Sequence, residues 1–262
     1  MNVEGPFECI TIGFHNGVAW LTLNRPDKLN SFTETMHREI TDVMSRVQKS
    51  VDVRCLVITG AGRAFSAGQD LADLDLDGNL GDTVEQYYNP LLRTLAGLQI
   101  PVIASVNGVA AGAGANIALA CDIVLAAKSA KFIQSFHQLG LVPDGGGTWT
   151  LPRLIGMARA TAICLTGEPI SAKKAEDWGM IWKSVDDDDL QSETKELAEA
   201  LAAKATTGLG FTKQLLRLSQ TRTLDEQLDL ERDYQQAASQ TKDFSEGVNA
   251  FLEKRKPNFK GE

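Results

Sequence analysis

Apolar and polar positions along the 262 residues fall into two regimes. Up to about residue 190, short β-like runs alternate with helical stretches. Residues 8–13 and 18–23 read as two strands joined by Asn16-Gly17, a pair suited to a tight hairpin turn. Ser31 and Glu34 have the spacing of a capping box. Met36, Ile40, Val43, Met44 and Val47 then recur at helical spacing, which predicts one apolar stripe. Residues 55–59, 101–106 and 123–127 are near-continuous apolar runs of strand length, as expected for strands buried on both faces. Strand–helix alternation of this kind predicts α/β layers. From Leu190 onward the pattern is helical without convincing strands. Thr223 to Glu226 and Asp243 to Glu246 look like capped helix starts, and Leu224/Leu228 and Val248/Phe251/Leu252 form apolar faces.

Three glycine-rich segments interrupt the pattern where chemistry is expected. Gly60 to Leu71 and Val106 to Ile117 each follow a strand-like run, the second leading into an apolar helix at residues 117–121. Small residues admit close approach to main chain, and a helix start offers free N–H groups and a positive dipole end. Two such turns facing each other could hold an oxygen that gains negative charge; either alone could equally be tight strand–helix packing. The third, Leu141 to Trp149, sets Asp144 before Gly145, Gly146 and Gly147. Asp144 reads as a helix cap by default, or as a proton shuttle if it lies beside an oxyanion hole.

Composition narrows the classes. Twenty-six Lys and Arg against 34 Asp and Glu give a net charge of −8, so there is no general attraction for nucleic acid or anionic lipid. An anionic ligand needs a local basic site, and Lys254 to Lys256 is one, unless it is only a solvated helix end. Cys9, Cys55, Cys121 and Cys164 are scattered, which predicts reduced core thiols and a cytoplasmic setting. No apolar run is long enough to span a membrane, and the acidic N-terminal nine residues do not read as a signal peptide. Asp73 to Gly78 begins like a calcium loop, but its twelfth position is Val84, so no metal is expected there. His15, His37 and His137 share no metal-ligand spacing. There is no GxGxxG, Walker loop or GxSxG motif.

Taken in order, LNRPDKLNS at 23–31, FSAGQD at 65–70, VNGVAAGAG at 106–114, CDI at 121–123 and FLEKRKPNF at 251–259 resemble the enoyl-CoA hydratase/isomerase (crotonase) superfamily along nearly the whole chain. The resemblance implies an α/β spiral of ββα units over residues 1–200 and a helical C-terminal trimerisation region over 201–262. It implies acyl-CoA thioester substrates, no cofactor beyond the CoA that the substrate carries, and a homotrimer or a dimer of trimers. By motif position, the N–H groups of Gln69 and Ala113 would form the oxyanion hole. Lys28, Ala64, Ser66, Gly68, Asp70 and Leu71 would lie along the substrate, and Lys254 would reach CoA phosphates across a subunit boundary.

Hydratases of that superfamily place two glutamates around the acyl group. Here the matching positions are Asn116 and Phe136, which with Leu139 would line the acyl pocket and cannot exchange protons at neutral pH. Asp144 matches the aspartate that some isomerases of the superfamily use for proton transfer, and that dehalogenases use as nucleophile. GVAAGAGA at 108–115, PDGGGTW at 143–149, EDWGMIW at 176–182 and LDLERDY at 228–234 resemble the ring-epoxide isomerases of phenylacetate degradation. The expectation is therefore an acyl-CoA isomerase with Asp144 as proton shuttle, acting on 1,2-epoxyphenylacetyl-CoA to give the oxepin, or shifting an enoyl-CoA double bond. The competing readings are a hydratase, an Asp-nucleophile dehalogenase or hydrolase, and a non-catalytic acyl-CoA-binding or RNA-binding homologue. Whether burial or the glycine-run amides dominate the Asp144 pKa is left open by the residues alone.

Overall fold

The computed structural model describes residues 5–74 and 78–262. In chain order the strands are β1 (Ile10–His15), β2 (Val18–Leu23), β3 (Cys55–Gly60), β4 (Ala64–Ser66), β5 (Val102–Val106), β6 (Val109–Ala111), β7 (Ile123–Ala127), β8 (Lys131–Ile133), β9 (Ile170–Ser171) and β10 (Lys183–Val185). The helices are α1 (Glu34–Lys49), α2 (Leu80–Thr83), α3 (Asn89–Gly97), α4 (Ala113–Ala120), α5 (Gly147–Thr166), α6 (Ala172–Asp177), α7 (Leu190–Ala202), α8 (Thr206–Leu218), α9 (Leu224–Ser239) and α10 (Lys242–Leu252).

One sheet runs β1-β2-β3-β5-β7-β10 and the other β4-β6-β8-β9. Consecutive strands go to different sheets: β3 then β4, β5 then β6, β7 then β8. Helices α4 and α5 follow the last two pairs, which is the ββα spiral expected. β1 and β2 form an antiparallel hairpin, with Asn16 (φ 50°) and Gly17 (φ 77°) supplying the left-handed turn. The contacts from β2 through β10 in the large sheet are parallel. Cys55 to Ile58 and all of β5 are buried, which explains their unbroken apolar runs. The four strands of the second sheet have two or three residues each, too few to leave a periodic signal.

Two helix starts differ from expectation. The cap of α1 is Thr33, whose side chain accepts from the Met36 N–H, while Ser31 is buried and bonded to Asp70. Likewise α10 starts on Thr241. Asp243 instead accepts the Lys260 and Gly261 N–H groups at 2.6 and 2.7 Å, and Glu246 takes a bidentate contact from Arg255. In both places a distant segment competes successfully for the side chain. The Thr223–Glu226 box is present as predicted. The apolar stripe of α1 is buried along its length, each such side chain contributing about 1.5–3 kcal/mol.

Residue 200 lies inside α7, and α8 packs on the core: the Lys213 ammonium is buried, donating to the Leu95 and Ile100 carbonyls and pairing with Asp122 at 2.7 Å. Helices α9 and α10 lie beyond and carry the exposed apolar residues Leu224, Leu228, Phe251 and Leu252. Cys9, Cys55 and Cys121 are buried free thiols and Cys164 is half-buried and free. No described helix is long and apolar enough to cross a membrane.

Candidate active site

The turn after β4 is held on both sides. The Gly68 carbonyl accepts from Phe32 N at 2.8 Å, and Asp70 N donates to the Phe32 carbonyl at 2.9 Å. Gln69 lies between these two bonds, and its own N–H has no acceptor among the described residues. Gly68 adopts φ 91°, and a Cβ there would lie 2.9 Å from Ala111 O and 3.4 Å from Ala113 N, so only glycine lets the turn approach the start of α4. From behind, Ser66 donates to Asn30 O and accepts from Gly68 N.

Helix α4 is apolar and buried nearly all round, which anchors its first turn in the core. The Ala113 N–H is among the opening groups of a helix that no intrahelical carbonyl can satisfy, and it has no other acceptor among the described residues. The structure thus brings the two expected amides, Gln69 and Ala113, to one junction. Phe136 is buried beside it, its ring edge 3.8 Å from where a Cβ on Gly112 would sit.

Asn116 lies one helical turn beyond Ala113, on the same face of α4. Its Nδ2 donates to the Asp144 carbonyl at 2.8 Å, and its Oδ1 accepts from Gln134 Nε2 at 2.9 Å. Asn116 is 1% exposed, so its amide holds the Asp144 loop. Asp144 is not a helix cap: the residue before α5 is Gly146, with no side-chain cap. The Asp144 Oδ1 is buried without a hydrogen-bond partner. Burial pushes this carboxyl up to about 6, a bond from its own backbone N–H opposing only in part. Burial is therefore the dominant cause. Leu139, expected at the acyl pocket, and the neighbouring Leu141 are exposed. Two unclaimed N–H groups and a half-buried carboxyl with one buried, unpartnered oxygen are an arrangement suited to stabilising an enolate and moving its proton.

The pattern of the enoyl-CoA hydratase/isomerase family matches residues 13–262. The chain belongs to that family. It is 52% identical over 259 residues to the 1,2-epoxyphenylacetyl-CoA isomerase of Escherichia coli K12, covering 97% of this chain and 99% of that one. It is 36% identical over 247 residues to the 2,3-dehydroadipyl-CoA hydratase of the same organism, covering 93% and 95%. The crystal structure of an enoyl-CoA hydratase from Bacillus anthracis superposes with a TM-score of 0.91 at 32% identity, over 97% of this chain and all of that one.

The remaining family-motif positions have mixed placements. Lys28 is exposed at the end of a short turn, Pro26–Lys28, and Leu71 is exposed beside the Gln69 loop. Ala64 and Ser66 are buried and can offer a ligand little side chain. Asp70 pairs with Arg25 at 2.9 Å and accepts from Ser31; burial raises its pKa, but these bonds outweigh it and hold the carboxyl below its usual range. Lys254 is exposed just past the end of α10, with φ 53°. Asp75 and Asp77 of the acidic loop lie outside the described residues, and no described cluster of His, Cys, Asp or Glu is arranged for a metal.

Two supports were missed in the sequence. Asn30 is wholly buried at φ 55° and donates to the Ala61 and Ala64 carbonyls, which pins the turn carrying Lys28 onto the β3–β4 corner. Tyr88 donates its hydroxyl to Gln69 Oε1 at 2.6 Å. The run of Asn30 within the motif could have signalled the first; nothing local signals the second.

Proposed function

We propose that the protein is an acyl-CoA isomerase in which Asp144 shuttles a proton and the N–H groups of Gln69 and Ala113 hold the thioester oxygen. The observation that carries this reading is the half-buried Asp144 carboxyl: its Oδ1 is buried and unpartnered, its pKa is raised to about 6, and its backbone carbonyl is tied through Asn116 to the helix that offers Ala113 N–H. For a 3-enoyl thioester, Asp144 removes a C2 proton, the electrons pass onto the thioester oxygen between the two amides, and the same carboxyl returns the proton to C4. The product is the 2-enoyl thioester, with atoms balanced and no cofactor beyond the CoA of the substrate. The 52% identical isomerase supports 1,2-epoxyphenylacetyl-CoA, opening to the oxepin, as the ring substrate. Efficient water addition would need a second acid–base group, and neither Asn116 nor Phe136 supplies one.

Lys28 and, from a neighbouring copy, Lys254 would meet CoA phosphates, with the main chain of Ala64 and Ser66 and the side chain of Leu71 along the pantetheine arm. The region from residue 201, through α9 and α10, would assemble the trimer or dimer of trimers. Four free thiols support a reducing, cytoplasmic setting. The test is turnover of 3-enoyl, 2-enoyl and ring-epoxide phenylacetyl thioesters. Isomerisation well above crotonyl-CoA hydration is expected. Rapid hydration, or an aspartyl–acyl adduct trapped on Asp144, would replace this reading with a hydratase or a nucleophilic mechanism.

A further inference from the structure

Gln69 is held by its side chain as well as its backbone. Its Nε2 has only a long contact, 3.4 Å to Asp70 O, whereas the 2.6 Å bond from Tyr88 to Oε1 is short and partly buried. The Tyr88 ring is itself immobilised. It meets His37 edge-on at 4.4 Å and Phe32 at 6.0 Å, and His37 in turn stacks between Phe32 and Tyr87 at 5.1 and 5.4 Å. Burial lowers the His37 pKa to about 4, so this packing is uncharged at neutral pH. Phe32 also provides the two backbone bonds that bracket Gln69. Tyr88 reaches this point from a π-helical turn, Val84–Tyr88, a register slip between α2 and α3 that lets two successive tyrosines pack on His37. Burial, then the Asp144 charge, raises the Tyr88 pKa well above its usual value, so the hydroxyl stays a donor and lies in the field of the proposed base.

We infer that Tyr88 is a positioning residue for the oxyanion hole: its hydroxyl fixes the Gln69 side chain, and with it the direction of the Gln69 N–H, without touching the reacting atoms. This rests on the functional reading above and deepens it. The main-chain donor is preorganised by a side-chain hydrogen bond from a segment remote in sequence. Preorganisation of such donors is where oxyanion-hole catalysis arises, so a slackened Gln69 costs rate more than binding.

The experiment is a double-mutant cycle of Tyr88→Phe and Gln69→Ala. Tyr88→Phe keeps the aromatic packing and removes the donor; Gln69→Ala removes the same bond from its other end, and keeps the N–H. Each change should lower kcat about 10-fold with KM within about twofold, less than the 10²–10³ of losing a direct donor. The double variant should be no slower than the worse single one. The second readout needs no turnover: the infrared carbonyl stretch of a ¹³C-labelled, unreactive acyl-CoA should shift less on binding Tyr88→Phe than on binding wild type. Wild-type kcat and carbonyl shift in Tyr88→Phe would overturn the inference while leaving the isomerase reading intact. So would an undiminished Tyr88→Phe loss in the Gln69→Ala background, which would mean direct contact with substrate. If the wild type turns over none of the thioesters, the isomerase reading fails, and the carbonyl shift alone still decides for or against Tyr88. If it binds no acyl-CoA at all, both fall.

Discussion

The junction around Gln69, Ala113 and Asp144 and the C-terminal arm of α9 and α10 both present unsatisfied groups, but of opposite kinds. At the junction they are polar: two N–H groups and a carboxylate oxygen, set in a frame in which neighbouring groups are bonded. In the arm they are apolar: Leu224 is 72% exposed and Phe251 83%, on helices that pack on little besides each other and α8. Unpaired polar groups in a rigid, mostly buried frame are what a reacting small molecule needs. Exposed apolar faces on helices are what a second protein surface needs. The difference is between polar groups open to a small molecule and apolar faces open to solvent.

The comparison is broken most severely at Asp144. Asp144→Asn keeps the shape and removes the proposed base, so isomerisation and deuterium exchange from solvent into an enoyl-CoA should fall about 10²- to 10⁴-fold. Acyl-CoA affinity, measured by calorimetry, should change little. An Asn variant that exchanges near the wild-type rate would leave Asp144 without a catalytic role. Next comes Ala113→Pro, which deletes the N–H itself and should cost about 10² to 10³ in kcat in folded protein, far more than Gln69→Ala, which keeps its N–H. Equal losses would assign the chemistry to the Gln69 side chain.

A change in the arm should do the reverse, altering assembly before local chemistry. Phe251→Asp or Leu228→Asp should shift light-scattering mass at micromolar concentration from trimer or hexamer toward smaller species, with far-ultraviolet circular dichroism retained. A monomeric wild type would refute the assignment of this face.

Two milder effects follow from the raised Asp144 pKa. The base must be ionised, so kcat should rise with pH through a midpoint near 6 and then level off; a midpoint near 4 would place the carboxyl in water. The same shift has a cost in stability. A carboxyl whose folded pKa exceeds its unfolded value stabilises the fold below the unfolded pKa, and that contribution is lost as pH rises through about 6. Asp144→Asn should therefore be more stable than wild type at pH 7.5, by about 1–3 kcal/mol in urea titrations, and no more stable at pH 4. Equal stabilities at pH 7.5 would show that ionising Asp144 is not costly.

Much of the fold is legible along the chain because it is periodic. The α1 stripe, the doubly buried β3, β5 and β7, the Asn16-Gly17 turn and the helical last third each follow from local pattern. The glycine segments and Asp144 are legible as candidates because small residues and a lone carboxylate stand out there. What local pattern misassigned were side chains claimed by distant partners. Ser31 looked like a cap and serves Asp70; Asp243 looked like a helix start and holds the Lys260 and Gly261 N–H groups. Short-range propensity prices only neighbours in sequence, whereas a buried polar group takes whichever partner the fold delivers, since leaving one unpaired costs about 1–3 kcal/mol. By itself, then, the sequence determined the alternation of strands and helices, the family and the three chemical segments. Only the tertiary structure decided that Asp144 is a half-buried carboxyl of raised pKa and not a cap, and that the Tyr88 hydroxyl, 19 residues away, bonds the Gln69 side chain. Desolvation and long-range hydrogen bonds depend on what surrounds a group in space, and a string of neighbours does not contain that information.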